Sequence, residues 1–253
     1  REFAWTPDEV TRADKWSAFA GELHTNMHEV IGHASGKVSD KVGGNPATLL
    51  KEQYSALEEG RADLIGLYFL PDPKLAELGI FKAEDQAEIV QAEYESYTKN
   101  ALLQLRRVRQ GTQIEEDHMR NRQMIVRWLM ANTKAIDVRQ RDGKTFYVMT
   151  DATAFRAGVG RLLAEVQRIK STGDYAAAKT LFDAHGIHFD ATLRDQVVSR
   201  VDRLQLPSYS GFVMPTLTAT TDAAGAITDV AISYPMDLKA QMLDYARVSA
   251  SIK

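Results

Sequence analysis

The chain contains no cysteine, which excludes disulfides and every metal site built on thiolates. It also lacks any apolar run near the ~20 residues that a membrane-spanning helix needs. Charge of one sign is missing too. Lys and Arg number 31 against 34 Asp and Glu, a formal net charge of −3 with the signs interspersed, which argues against a nucleic-acid binder. The one basic cluster, Arg106-Arg107-Val108-Arg109, reads as a helix end ahead of Gly111. There is neither an internal repeat nor a low-complexity linker, so residues 1–253 are expected to form one domain with a substantial core. The opening Arg1-Glu2-Phe3 has no initiating methionine and no signal-peptide pattern, and looks cut from a longer protein.

What is present is concentrated in His28-Glu29-Val30-Ile31-Gly32-His33. Two imidazoles can hold a zinc ion, and the carboxylate between them can take a proton from a water that the metal activates. The common His-Glu-x-x-His pattern spaces its histidines by four residues, about one helical turn. Here the spacing is five, which on a regular α-helix turns the two side chains roughly 140° apart. A local bulge must bring them together, and Gly32, without a Cβ, lies where it is needed. His24 and His28 have the regular four-residue spacing, but Thr25 follows His24 and offers no base, so that pair is set aside.

A third ligand should come from another helix. Asn45 can cap a helix with Pro46 in its first turn, expected to run to about Leu70 before Pro71 and Pro73. Within it stands Glu58-Glu59-Gly60-Arg61-Ala62-Asp63. Glu59 shares its face with the small residues Ser55, Ala56, Ala62 and Gly66, which let a second element approach, so Glu59 is the expected third ligand. Glu58 and Asp63 are placed to hydrogen-bond the ligand imidazoles. Three protein ligands leave one position open, as catalysis requires, and one Zn2+ per chain is expected.

The remaining pattern predicts a mainly α (α+β) fold, a helical zinc-binding lobe with one or two small β-hairpins. Thr6-Pro7-Asp8-Glu9 opens a first helix that Gly21 is expected to break. Further helices are predicted at about 83–110, 114–132, 152–171, 175–184, 190–205 and 236–249. Hairpins are expected at 135–149, turning at Asp142-Gly143, and from Phe212 to Ser233, turning at Ala224-Gly225.

The paired motifs resemble the dipeptidyl peptidase III metallopeptidases, which carry a five-spaced His-Glu-x-x-Gly-His and a downstream Glu-Glu-x-Arg-Ala-Glu. The likeness continues through Asp117-His118-Met119-Arg120-Asn121-Arg122, Gln167 to Asp174, and Leu193-Arg194-Asp195. The segment from Gly211 to Pro215 is more similar to bacterial members. Gly60 replaces a cysteine common in eukaryotic members, and Asp63 stands for the glutamate, which puts its geometry in question. The resemblance implies zinc on His28, His33 and Glu59, with Glu29 as general base. It implies His118 as a stabiliser of the transition state and Arg200 as a contact for the C-terminal end of the substrate. Bottom-up, Arg200 also reads as a solvated helix charge, because Arg194 and Arg203 share its segment.

The activity so implied is zinc-dependent release of N-terminal dipeptides from oligopeptides. The alternatives are a metallopeptidase of other exo or endo specificity, and a non-catalytic peptide-binding lobe with a retained metal site. The family is two-lobed, so the partner implied for this lobe is an N-terminal lobe of the same protein. No nucleic-acid partner and no membrane span are expected; a soluble protein is expected, with the compartment left open between a bacterial cytoplasm and a periplasm.

Overall fold

The computed structural model describes residues 1–205 and 214–251, apart from the side chains of Lys41 and Ser251. Two compact units result, Arg1–Leu204 and Gln205–Lys253.

The first unit begins with α1, Pro7–Met27. The Thr6 hydroxyl accepts the Glu9 N–H at 3.2 Å, and the Glu9 carboxylate reaches back to the Trp5 N–H at 2.9 Å. Gly21 does not break this helix. An interior glycine costs about 1 kcal/mol, and the burial of Ala20, Leu23, His24 and Met27 outweighs it. Directly after α1 the chain winds as a π-helix over His28–His33, the bulge that the five-residue spacing requires.

The helix expected over 46–70 is divided. Asn45 caps α2 (Pro46–Leu50), its Oδ1 accepting the Ala47 N–H at 3.0 Å. Lys51 then takes φ +50°, and a 3₁₀ turn over Lys51–Gln53 leads into α3, Tyr54–Phe69. Positive φ is uncommon outside glycine, so composition gave no warning of this break. A short α4, Lys74–Glu77, falls in a stretch where no helix was expected. α5 covers Gln86–Leu103 and α6 covers Asp117–Asn132, each shorter than its periodicity suggested.

The first hairpin pairs β1 (Ile136–Arg141) with β2 (Lys144–Met149), Ile136 opposite Met149. Helices α7 (Ala152–Thr172), α8 (Tyr175–His185) and α9 (Ala191–Arg203) complete the unit. Its core gathers Leu57, Leu64, Leu67, Tyr94, Tyr97, Met124, Leu129, Phe155 and Leu162 around α3. Every residue of α3 from Gly60 to Leu67 is buried, which makes it the central rod against which α1, α6 and α7 pack.

The second unit contains β3 (Thr216–Thr221) antiparallel to β4 (Ile227–Ser233), bulged at Thr220/Thr221, and α10, Leu238–Ser251. Its expected first-strand residues Phe212 and Val213, and Gly211, lie outside the described residues. The architecture is mainly helical with two small hairpins, as expected. Among the described residues no helix is long and apolar enough to cross a membrane.

Candidate metal centre

The π-helical turn sits on α3 because two small residues meet there. A Cβ added to Gly32 would lie 2.8 Å from the Ala62 Cβ and 2.9 Å from its Cα, closer than real atoms approach. The Gly32 carbonyl is held from the same helix, accepting the Arg61 Nη2–H at 2.8 Å. With the turn so fixed, residues five apart share a face. His28 Nε2 and His33 Nε2 come to 3.0 Å of one another.

Glu59 completes the group from α3. Its Oε2 lies 3.1 Å from His28 Nε2 and 3.7 Å from His33 Nε2. Glu29 also borders it, with an oxygen within 4.8 Å of the imidazole nitrogens. Both acids therefore flank the histidines, and the Glu59 separations of 3.1 and 3.7 Å are within the range for a shared ion.

The outer ring nitrogens are each taken by a carboxylate. His28 Nδ1–H donates to Asp63 Oδ1 at 2.7 Å, and His33 Nδ1–H donates to Glu58 Oε1 at 3.2 Å. Asp63 thus reaches its imidazole despite the shorter side chain. Burial would raise the Asp63 carboxyl, but the bond from His28 and the charges of His24 and Arg122 outweigh it and bring it down to about 2. Burial opposes ionisation of Glu58 as well, and Arg61 and Lys170 overcome it, again to about 2. Both carboxylates are ionised at neutral pH and can only accept. The protons must then sit on Nδ1, and whenever a ring is neutral its Nε2 turns a lone pair inward. With both rings neutral, the two lone pairs and the Glu59 oxygen form a triangle of acceptors that a metal cation, or in its absence a proton on one Nε2, draws together.

His118 opens α6 at the rim, 65% exposed, with Nε2 3.5 Å from Glu59 Oε2. Its Nδ1–H donates to Glu116 Oε1 at 2.8 Å, and the same carboxylate caps α6 by accepting the His118 and Met119 N–H groups. Burial works against ionised Glu116, and these three bonds more than offset it, lowering its carboxyl.

Arg200 is not brought to this group. It is 1% exposed, with Nε on Glu2 Oε1 at 3.0 Å, Nη1 on the Thr145 carbonyl at 2.6 Å and Nη2 on the Glu2 carbonyl at 2.7 Å. Its plane lies 3.9 Å from the Phe3 ring centroid. The guanidinium ties the N-terminal residues to β2, so it is neither a solvated charge nor free to meet a substrate. His24, also buried, donates from Nδ1 to Glu93 Oε1 at 2.8 Å and from Nε2 to the Asp63 carbonyl at 3.1 Å. With both nitrogens donating it is an imidazolium, not a ligand.

Three contributors escaped the sequence reading. Arg61, 0% exposed, grips Glu58 through Nη2 at 2.6 Å and Nε at 3.0 Å while holding the Gly32 carbonyl. Its i, i+3 spacing to Glu58 was a legible signal. Lys170 from α7, 2.7 Å from Glu58 Oε2, and Tyr97 from α5, donating to Asp63 Oδ2 at 2.7 Å, gave none, because only the fold brings them near.

Comparison with known proteins identifies the family. The chain is 25% identical to mouse dipeptidyl peptidase 3 over 271 residues, covering 88% of this chain and 37% of that protein. The human dipeptidyl peptidase 3 is 25% identical over 270 residues, with the same coverage. The chain therefore spans just over a third of the length of these relatives. Among solved structures, dipeptidyl-peptidase III from Corallococcus sp. strain EGB shares the fold with a TM-score of 0.60 at 22% identity, over 79% of this chain and 34% of that one. The enzyme from Caldithrix abyssi does so with a TM-score of 0.59 at 23% identity, over 79% and 35%. Residues 39–203, well over half the chain and including Glu58, Glu59, Asp63 and His118, match the sequence profile of one family throughout, and the chain belongs to peptidase family M49.

Proposed function

We propose that this chain carries the zinc centre of a peptidase that releases dipeptides from the N-termini of oligopeptides. The observation that carries this reading is the triangle of His28 Nε2, His33 Nε2 and Glu59 Oε2, with edges of 3.0, 3.1 and 3.7 Å. Ligand atoms ~2.0–2.1 Å from a tetrahedral zinc stand about 3.3 Å apart, so the edges bracket the required value. Two imidazoles and one carboxylate are a donor set that zinc accepts, and three protein ligands are the number a catalytic site uses. When bound, zinc supplies a Lewis acid and a water of lowered pKa.

The protein groups divide the remaining work by position. Asp63 and Glu58 hold the Nδ1 protons and so keep both Nε2 atoms available. Glu29 is exposed beside the histidines, placed to accept a proton at its carboxylate and return it to the leaving amine. His118, its Nδ1–H committed to Glu116, faces the site with Nε2 and stabilises negative charge developing on the substrate carbonyl by donating from that atom when protonated. Specificity for dipeptides rests on the relatives' names, and the chain spans 37% of their length. We therefore assign recognition of the substrate's amino end to an N-terminal lobe of the same protein, beyond these residues.

One experiment tests the reading. Zinc content and hydrolysis of a dipeptidyl-arylamide are measured for the wild-type chain, Glu59→Ala and Glu29→Gln, each alone and within the longer protein. About one zinc per wild-type chain is expected, largely lost in Glu59→Ala and retained in Glu29→Gln, with hydrolysis lost in both variants. Full zinc in Glu59→Ala, or undiminished hydrolysis in Glu29→Gln, would overturn the corresponding role.

A further inference from the structure

Helix α5 supplies none of the imidazoles and carboxylates assigned above, yet it grips one of them twice. The Tyr97 hydroxyl donates to Asp63 Oδ2 at 2.7 Å, while Asp63 Oδ1 accepts the His28 Nδ1–H at 2.7 Å. One helical turn earlier on the same face, Glu93 accepts from His24 Nδ1 at 2.8 Å, and His24 Nε2 donates to the main-chain carbonyl of Asp63 at 3.1 Å. Residue 63 is thus held by its carboxylate through Tyr97 and by its backbone through His24.

We propose that Tyr97 is a positioning residue for the metal centre, setting the plane of the Asp63 carboxylate and through it the ring of His28. The inference rests on the zinc reading of the site. A carboxylate bonded at one oxygen only can rotate about its last torsion and still keep that bond. Bonded at both oxygens to fixed partners, it cannot. Asp63 and Tyr97 are 7% and 2% exposed, so no bulk water is at hand to replace the phenol. Without the hydroxyl, Oδ2 is left buried and short of a partner, and the carboxylate turns to find one. The His28 ring, whose tautomer and tilt depend on Oδ1, turns with it.

A merely structural tyrosine would lose stability on removal of its hydroxyl without disturbing the metal. The same helix provides that comparison. Tyr94, 0% exposed and three residues away, donates its hydroxyl to the Leu67 carbonyl at 2.9 Å. The test measures Zn2+ affinity by chelator competition, and the visible spectrum of the Co2+-loaded chain, for wild type, Tyr97→Phe and Tyr94→Phe. Both variants are expected to unfold more easily. Only Tyr97→Phe is expected to bind zinc more weakly, by roughly 3–10-fold, a step below the ~10–100-fold typical of a carboxylate bonded directly to a ligand imidazole. Only that variant should shift the Co2+ bands.

Wild-type affinity and spectrum in Tyr97→Phe would overturn the proposal, as would equal weakening in Tyr94→Phe. If Tyr97→Phe does not fold, Glu93→Gln reads the same grip of α5 through His24, and undiminished zinc affinity there counts against it. A wild-type chain that takes up no zinc overturns the metal reading itself, an outcome seen before any variant is compared.

Discussion

Gly32 does two things that no other residue can do at its position. It lies in the π-helical turn that converts a five-residue spacing into a shared face, and it lets that turn rest on Ala62. The second role is the stricter, because the atoms a Cβ would meet include the Ala62 backbone, which cannot swing aside as a side-chain end could. Gly32→Ala is therefore expected to destabilise the zinc-free chain by ~1–3 kcal/mol, the usual cost of overpacking, and to weaken zinc binding as His33 is displaced. Gly21→Ala makes the contrast: the nearest atom to its added Cβ, Glu93 Oε2, is 3.9 Å away, and α1 runs straight through the position. That substitution should leave stability unchanged or raise it by up to about 1 kcal/mol. Denaturant midpoints with chelator present check both, and equal midpoints for the two variants would remove the packing argument.

At the scale of elements, α3 concentrates the charge of the site. It carries Glu58, Glu59 and Asp63 through the core and neutralises Glu58 with Arg61 of its own and Lys170 of α7. Glu58 and Asp63 are held at about 2, below the ~4 of an unfolded carboxyl, so the sign of the linkage is fixed. Their stabilising contribution is complete above about pH 4 and is lost as pH falls from there towards about 2. The zinc-free chain should lose stability steeply across that window. Glu58→Gln should be less stable at pH 7 and flatter below pH 4; a slope as steep as wild type would show that Glu58 is not a source of the acid sensitivity. The sequence made the acids of α3 legible, because Glu58, Glu59 and Asp63 fall within one six-residue stretch and the paired histidines demanded a partner. It also made the bulge legible, since five residues and a glycine allow little else. Lys170 and Tyr97 were hidden because their distance along the chain is closed only by packing. The break at Lys51 was hidden because a positive φ there has no glycine to announce it. Arg200 was misplaced for a related reason: polar neighbours along one helix do not reveal that Glu2, Phe3 and Thr145 enclose it.

For the whole molecule, the division of labour between the two units decides what can be removed. Every residue placed in the candidate centre, from His24 to Lys170, lies within Arg1–Leu204, as does the hydrophobic core that supports it. The hairpin of β3 and β4 is exposed along both strands, with Leu217, Ile227 and Ile232 each more than half exposed. A chain ending at Leu204 should consequently fold cooperatively, bind about one zinc with the affinity of the 253-residue chain, and respond to Tyr97→Phe in the same way. Val201 belongs to the core and Arg200 ties α9 to Glu2 and β2, so cutting before α9 should behave differently. That shorter chain would lose both the packing of Val197 and Val201 and the only buried cation facing Phe3 and Phe146 among the described residues, and its thermal transition should fall or vanish. Thermal unfolding and zinc content of the two truncated chains distinguish these cases. Zinc lost at the first cut would make the second unit part of the metal centre's support, and zinc with an unchanged transition at the second would remove α9 from it.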